Sequence, residues 1–228
     1  MRLAPRIRGD PTERRLCECY GRRPVADDFD ASQRAIPQPV PQESTAELSG
    51  GTVVWLFVAL ELLTFGLFFL GYAAARSGDA ALFDESQRRL HVPWGAINTL
   101  VLLTGSWLAA RAVLANRRGH ARLAGVCLGA AGATGLLFMA IKLHEYADVF
   151  GSGVNLSTNA FWFFYIFLTG LHFLHVLAGV GLLLPIGWWA YRGLYGPERG
   201  LSIEAVAVFW HLVDLIWIFL FPLLYVAR

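Results

Sequence analysis

Five long apolar blocks follow one another along the chain, separated by short polar stretches. They cover residues 52–75, 94–115, 121–142, 160–190 and 204–227. At about 1.5 Å per residue, each block is long enough as an α-helix to cross about 30 Å of hydrocarbon. The pattern predicts an all-α, polytopic membrane protein with five transmembrane helices. Pro185, near the end of the fourth block, predicts a kink or the end of the regular helix.

The first 47 residues have a different pattern. They contain eight arginines, eight acidic residues and a proline-rich run at 37–41. Such a segment cannot bury enough apolar surface to offset the entropy of ordering. We therefore predict two regions: a disordered cytoplasmic tail over residues 1–47 and a five-helix transmembrane domain over residues 48–228.

The orientation follows from the positive charges between the blocks. Fourteen Lys and Arg residues lie on the side of the N-terminus and five on the opposite side. Because positive charge accumulates on the cytoplasmic side, we expect a cytoplasmic N-terminus and a periplasmic C-terminus. The expected location is the inner membrane of a bacterium.

Composition agrees with the membrane class, because 56% of the residues are hydrophobic and only 16% are charged. The three cysteines, Cys17, Cys19 and Cys127, suggest neither a disulfide framework nor a metal site.

Ionisable side chains inside membrane helices are costly and need a reason. Glu61 lies near the middle of the first block. It is either a proton-handling or lipid-contacting group, or a structural carboxyl bonded to a neighbouring helix. At the end of the third block, Lys142 and Tyr146 share a face, and Glu145 lies near the polar boundary. We interpret this group as a solvated helix end in the headgroup region.

The last two blocks carry histidines and carboxylates. His172 and His175 are three residues apart on the fourth, so their rings project from nearly the same face. Glu204, His211 and Asp214 form one stripe on the fifth. A haem or metal site is conceivable, but the carboxylates fit a hydrogen-bonded structural network better. We assign no catalytic residue and no metal ligand.

Tryptophans lie mostly near the predicted helix ends, where an aromatic belt at the lipid interface is the ordinary explanation. They are Trp162, Trp188, Trp189, Trp210 and Trp217. Glycines 125, 129, 132 and 135 of the third block predict close helix packing.

Several short motifs occur in an order known from one family. They are Trp55-Leu56-Phe57 with Glu61, Glu145-Tyr146, Gly170-Leu171-His172 with His175-Val176, Glu204, and Phe209-Trp210-His211-Leu212-Val213-Asp214 with Trp217. From about residue 50 to its end, the chain resembles subunit III of the haem–copper cytochrome c and quinol oxidases. With five helices, it resembles the short form of that family.

Two segments favour one branch of the family. Residues 95–107 and 161–170 are similar to the branch associated with nitric oxide reductases, whose members are thought to be accessory proteins. The resemblance therefore implies a non-catalytic accessory subunit, with a nitric oxide reductase as the favoured partner. Subunit III of an aerobic cytochrome c or quinol oxidase is the alternative.

The resemblance also implies roles for particular residues. Glu61 matches a buried carboxylate that reacts with a carbodiimide. Trp55, Glu61, His172, His175 and Arg192 become candidates for binding lipid, the two histidines and Glu61 in a cleft between the first two helices and the other three. The family implies bound phospholipid and no redox cofactor in this chain, with haem and copper held by the catalytic partner. Its members are thought to sustain proton uptake and stability during turnover.

Two alternatives come from other classes of protein. A membrane b-type cytochrome would use His172, His175 or His211 as haem ligands. A small ion transporter would place Glu61 and Lys142 on its path.

Overall fold

The computed structural model describes residues 51–194 and 200–227, and within these ranges the secondary structure is entirely helical. The predictions for residues 1–47, including Cys17 and Cys19, concern a part of the chain outside them. The helices are α1 (Thr52–Gly78), α2 (Ala80–Gln87), α3 (Val92–Arg117), α4 (Ala121–Gly151), α5 (Ala160–Tyr191) and α6 (Gly200–Phe221), followed by a π-helical turn (Pro222–Val226).

Five of these helices are long and apolar enough to cross a membrane, as the hydrophobic pattern predicts. Helix α2 is a short additional element, and the Asp79 side chain caps its start by accepting from the Leu82 amide. Helix α5 begins in the same way at Asn159. It continues through Pro185 to Tyr191, so the proline does not end it. Helix α4 extends to Gly151, nine residues beyond the predicted end at Lys142.

Helices α3, α4, α5 and α6 form the packed body of the domain. Helix α4 lies between α3 and α5, and α6 packs against α3 and α5. Helix α1 lies at the periphery against α5 and α6, with only 11% of its most apolar stretch buried, against 50% for α6. The expected cleft between the first two helices and the other three is therefore wrong. Because α3 belongs to the packed body, α1 alone stands apart.

Glycines set the crossing of α4 and α5. A β-carbon on Gly125 would lie 2.6 Å from the carbonyl oxygen of Gly187, so only glycine permits this approach of two backbones. Similar approaches occur at Gly132, against Leu184, and at Gly135, against Val180. Close packing is thus confirmed at three of the four predicted glycines. At Gly129 a β-carbon would meet no atom within 4 Å.

The tryptophans divide between the core and the surface. Trp162, Trp210 and Trp217 are buried, so the prediction that they belong to an interfacial belt is wrong. They face the interior because α5 and α6 present these positions to the other packed helices. Trp188 and Trp189 are exposed near the end of α5, where the belt prediction places them.

Side chains from α1 and α2 hold the C-terminal turn. The Tyr72 hydroxyl donates to the Leu223 carbonyl at 3.2 Å. Gln87 Nε2 donates to the Leu223 and Leu224 carbonyls at 3.3 and 3.2 Å. These carbonyls lie in the last turn, where helical acceptors lack partners. The peripheral helix is therefore joined to the end of α6 by polar bonds.

Candidate functional site

The Glu61 carboxylate meets the His175 imidazole where α1 crosses α5. His175 Nε2 lies 3.2 Å from Glu61 Oε2, with 16% and 18% of the two side chains exposed. His175 Nδ1 lies 2.8 Å from the Leu171 carbonyl oxygen, and a carbonyl only accepts, so Nδ1 carries a proton. Nε2 is therefore the ring nitrogen that faces the Glu61 carboxyl group across the contact.

Apolar surface surrounds this pair. The ring of Phe65 packs edge-on against His175, with 5.5 Å between the ring centroids. On one side of α1, a groove of about 510 Å³ is lined by Phe57, Leu171, Leu174, His175 and Phe209, among others. Among the described residues that line it, His175 is the only polar one. The groove therefore offers an apolar channel with one polar group on its wall.

A second groove lies on the α6 side of α1. It measures about 230 Å³ and is lined by Trp55, Val58, Val208, His211, Leu212 and Leu215. Trp55 and His211 thus line the same groove. Glu61 lines neither groove, but its neighbour His175 lines the first.

The predicted stripe on the last helix forms two separate sites. His211 Nδ1 lies 2.5 Å from the Ser106 hydroxyl of α3. Asp214 is buried beside the same serine, but a hydroxyl has one proton to give, and no hydrogen bond to either Asp214 oxygen occurs within the described ranges. Glu204 instead accepts from Arg117 Nε at 2.9 Å, at the C-terminal end of α3. The single network predicted for these three residues is therefore wrong for Glu204.

The most complete polar cluster is buried between α4, α5 and the C-terminal turn. Lys142 Nζ donates to Glu145 Oε2 at 3.0 Å, to the Tyr165 hydroxyl at 3.0 Å and to the Tyr225 hydroxyl at 2.6 Å. The two hydroxyls donate to Glu145 Oε1 at 2.9 and 2.6 Å. All three protons of the ammonium group and both hydroxyl protons therefore have acceptors. We call these four residues the Lys142 cluster.

This cluster overturns the interpretation of the α4 end as solvated. Lys142 is fully buried and Glu145 is 3% exposed. Helix α4 can continue beyond the lysine because the opposite charge and the two hydroxyls compensate the buried ammonium group. Tyr146 lies beside Lys142, with the ammonium nitrogen 5.2 Å from its ring centroid, as their spacing predicts. Its hydroxyl donates to Thr169 at 2.8 Å.

The two histidines of α5 have different surroundings. His172 is fully buried between Phe138 of α4 and Trp217 of α6, with ring centroids 5.5 and 5.1 Å away. His175 faces α1. Three residues on a helix leave about 60° between side chains, which suffices to direct one ring inward and the other to the groove. The predicted cleft position of His172 is therefore wrong.

Arg192 caps the end of α5 and lies over the ring of Trp188, at 4.6 Å from the centroid. It is seventeen residues from His175, or about 25 Å along the helix. The two side chains cannot hold the same chemical group. Within the described residues, no cluster of three or more His, Cys, Asp or Glu side chains could hold a metal ion.

Sequence reasoning missed Tyr165, Tyr225 and Ser106. The available signal was a lysine inside an apolar block, because such a charge needs partners. The partners themselves lie 23 and 83 residues along the chain. No local spacing could have identified them.

Fold and site together define a multi-pass membrane protein with buried, paired ionisable groups. Residues 49–227 match the family model described as cytochrome c oxidase subunit III. The chain therefore belongs to that family, which confirms the family-level resemblance inferred from the motifs.

Individual relatives agree. Cytochrome c oxidase subunit 3 of Thermostichus vulcanus is 32% identical over 173 residues, covering 75% of this chain and 84% of the relative. The probable quinol oxidase subunit 3 of Staphylococcus saprophyticus is 26% identical over 175 residues, covering 75% and 85%. The haem–copper oxidase subunit I+III of Aeropyrum pernix is 29% identical over 193 residues, covering 77% of this chain and 22% of that longer protein.

Proposed function

We propose that this chain is the third, non-catalytic subunit of a haem–copper oxidase and docks on the side of the catalytic subunit within the membrane. The match over residues 49–227 carries this proposal. The relative named as subunit I+III supports it, because one chain there bears both names. The accessory subunit performs no bond-making step, and haem and copper belong to the partner.

The Glu61–His175 pair is the part of the site to which we assign this supporting role. It joins a peripheral helix to the packed body at a 3.2 Å contact. Apolar grooves border α1 on both sides, and their lining suits the acyl chains of phospholipids. Lipid in these grooves would fix α1 against α5 and α6. The Glu61–His175 pair would thereby keep a fixed position relative to the partner's proton-entry surface.

The proposed location is the inner membrane of a bacterium, with the N-terminus in the cytoplasm and the C-terminus in the periplasm. The distribution of positive charge supports this orientation, with fourteen Lys and Arg residues on one side and five on the other. The buried Lys142 counts among the five but cannot act as an interfacial charge. Omitting it makes the asymmetry larger.

A second candidate partner is nitric oxide reductase. The observation that favours it is the similarity of residues 95–107 and 161–170 to the branch associated with that enzyme. The relatives from Thermostichus vulcanus and Staphylococcus saprophyticus are named as oxidase subunits, which favours an oxygen-reducing partner.

Purification of the tagged chain from native membranes in a gentle detergent distinguishes these partners. Mass spectrometry identifies the co-purified subunits, and an optical spectrum identifies their haems. An oxygen-reducing haem–copper subunit is the expected result. A partner that turns over nitric oxide would select the second candidate.

The same preparation tests the alternatives from other classes. A chain that is purified without any partner subunit and shows the Soret absorption band of haem is a membrane cytochrome, and the subunit proposal then fails. Ion flux in proteoliposomes containing only this chain would support the transporter. We expect the isolated chain to be colourless and to conduct no ions across the whole membrane.

A further inference from the structure

The hairpin between α3 and α4 carries a basic crevice at its turn. The crevice measures about 160 Å³ and lies between the end of α3 and the start of α4. Its described lining consists of Arg111, Leu114, Ala115, Arg118, His120 and Leu123. The two grooves beside α1 share none of these residues, so the crevice is a separate feature of the surface.

A tight turn closes the hairpin beside the crevice. Gly119 has a φ of +79°, and the amides of Gly119 and His120 donate to the Asn116 and Ala115 carbonyls at 2.9 Å each. This pair of bonds is the Schellman motif, in which a glycine in the left-handed conformation satisfies the last carbonyls of a helix. Arg118 and His120, on either side of the glycine, thereby line the same crevice.

The crevice follows one face of α3. Arg111 and Arg118 are seven residues apart, or about 10 Å along the helix, and Leu114 lies between them on this face. Ala115 is 6% exposed, and its short side chain leaves room between the two arginines. Arg111 lies over the ring of Trp107, 5.2 Å from its centroid, and this indole is 58% exposed. Exposed tryptophans are typical of the level of the lipid headgroups.

The charge of the crevice has one sign. Its described lining includes two arginines and one histidine but no acidic residue. Among the described residues neither Arg111 nor Arg118 forms an ion pair, whereas the neighbouring Arg117 pairs with Glu204 at 2.9 Å. Like charges along one crevice repel each other, and an anion between them removes this repulsion. The planar fork of donors on arginine matches the oxygen atoms of a phosphate group.

Apolar side chains form the rest of the wall. Leu114 and Leu123 are 43% and 49% exposed, and Val126, one turn further along α4, is 54% exposed. A free inorganic phosphate would leave these side chains uncovered, whereas the acyl chains of a lipid would cover them. The combination of basic and apolar lining therefore favours a lipid over a free anion.

We propose that this crevice binds the headgroup phosphate of an anionic phospholipid. Arg111 and Arg118 donate to the phosphate oxygens, His120 supplies a further N–H donor, and the acyl chains lie against the exposed apolar side chains of α3 and α4. Basic pockets between transmembrane helices bind such headgroups in other membrane proteins. The site is independent of the Glu61–His175 pair and of which acceptor the partner reduces.

The test uses phosphatidylglycerol that carries a photoreactive diazirine on one acyl chain, close to the headgroup. The complex purified from native membranes and the full chain expressed alone are each reconstituted in phosphatidylcholine vesicles with a small fraction of this probe. After illumination, mass spectrometry maps the crosslinked peptides. Peptides from residues 107–126 should be labelled at least about 5-fold more than by phosphatidylcholine with the same diazirine. This factor corresponds to about 1 kcal/mol, the attraction of one basic residue for an anionic membrane surface.

The variants isolate the two arginines. Arg111→Gln and Arg118→Gln should each lower the phosphatidylglycerol labelling of these peptides by about 5-fold. Both arginines are exposed, so neither substitution disturbs the packed body. Arg122→Gln is the matched control, because Arg122 is also exposed in the first turn of α4 but is not among the described lining residues. Its labelling should equal that of the wild type.

Several results would overturn the proposal. Equal labelling by the two probes, or unchanged labelling in Arg111→Gln, would show that the crevice does not select the anionic lipid. A loss in Arg122→Gln as large as that in Arg118→Gln would show a diffuse attraction by surface charge. Labelling of the isolated chain but not of the complex would assign the crevice to a contact with the catalytic subunit.

An excess of inorganic phosphate at constant ionic strength separates the two sources of phosphate. Labelling should stay unchanged, and competition would assign the crevice to a free anion. Failure of the proposed function is a different result. A chain that never co-purifies with a haem–copper partner refutes that function, whereas the labelling of the isolated chain still decides the lipid site.

Discussion

The Lys142 cluster gives the strongest stability prediction. Lys142→Met replaces the buried lysine by an uncharged side chain of similar length. Glu145, which is 3% exposed, then lacks its counter-charge. The lysine donates one bond to a carboxylate and two to neutral hydroxyls. Bonds to charged groups contribute about 1.5–3 kcal/mol and neutral ones about 0.5–1.5 kcal/mol each. The expected loss is about 3–5 kcal/mol, in agreement with the usual cost of breaking a buried ion pair.

The double variant separates charge from packing. In Lys142→Met with Glu145→Gln no buried charge remains, and the amide oxygen can still accept from Tyr165 and Tyr225. Its loss should be smaller than that of Lys142→Met alone. A double-mutant cycle with the single variant Glu145→Gln should give a coupling energy of at least about 2 kcal/mol.

Unfolding in mixed micelles with increasing dodecyl sulfate, followed by the fluorescence of the eight tryptophans, measures these differences. Arg118→Met, at an exposed cation, is the matched control and should cost less than about 0.5 kcal/mol. A Lys142→Met protein within about 1 kcal/mol of the wild type would refute the reasoning. So would a double variant whose loss equals the sum of the two single losses.

Three further changes test other parts of the structure. Glu61→Ala should alter turnover or shorten the active lifetime of the complex while its haem content, read from the optical spectrum, stays constant. Unchanged turnover and unchanged inactivation would remove Glu61 from the site. Gly125→Ala places a β-carbon against the α5 backbone and should cost about 1–3 kcal/mol in the micelle assay, whereas Gly181→Ala, where the space is open, should cost little. Gln87→Leu leaves the Leu224 carbonyl without the Gln87 donor and the Leu223 carbonyl with only the Tyr72 hydroxyl, and it should speed hydrogen exchange at residues 223–227, while exchange in α4 stays unchanged.

The hydrophobic pattern could predict the five membrane helices because length and apolarity alone specify them. It could not predict the end of α4. In the sequence, the charge of Lys142 suggests that the apolar helix ends there. Only its contacts with Tyr165 and Tyr225 show that this charge can be buried. Such contacts join distant parts of the chain, so local patterns do not contain them.

The sequence likewise predicts only part of the candidate site. Glu61 and His175 were both candidates, and the structure pairs them. The family resemblance places His172 with them, and its spacing of three residues from His175 is compatible with a shared face. About 60° of rotation around α5 instead turns it into the interior. Helical spacing shows which residues are neighbours along one helix, but the packing of the other helices decides what each of them contacts.

The most direct test of the accessory role is to remove this chain from its complex and add it back. The catalytic partner should retain its haem spectrum and its initial rate without the chain but lose activity faster during turnover. Adding back the purified chain should restore the lifetime, and adding back the Glu61→Ala chain should restore it incompletely. Immediate and complete loss of activity or of haem on removal would contradict a non-catalytic role, and an unchanged lifetime would contradict a supporting one.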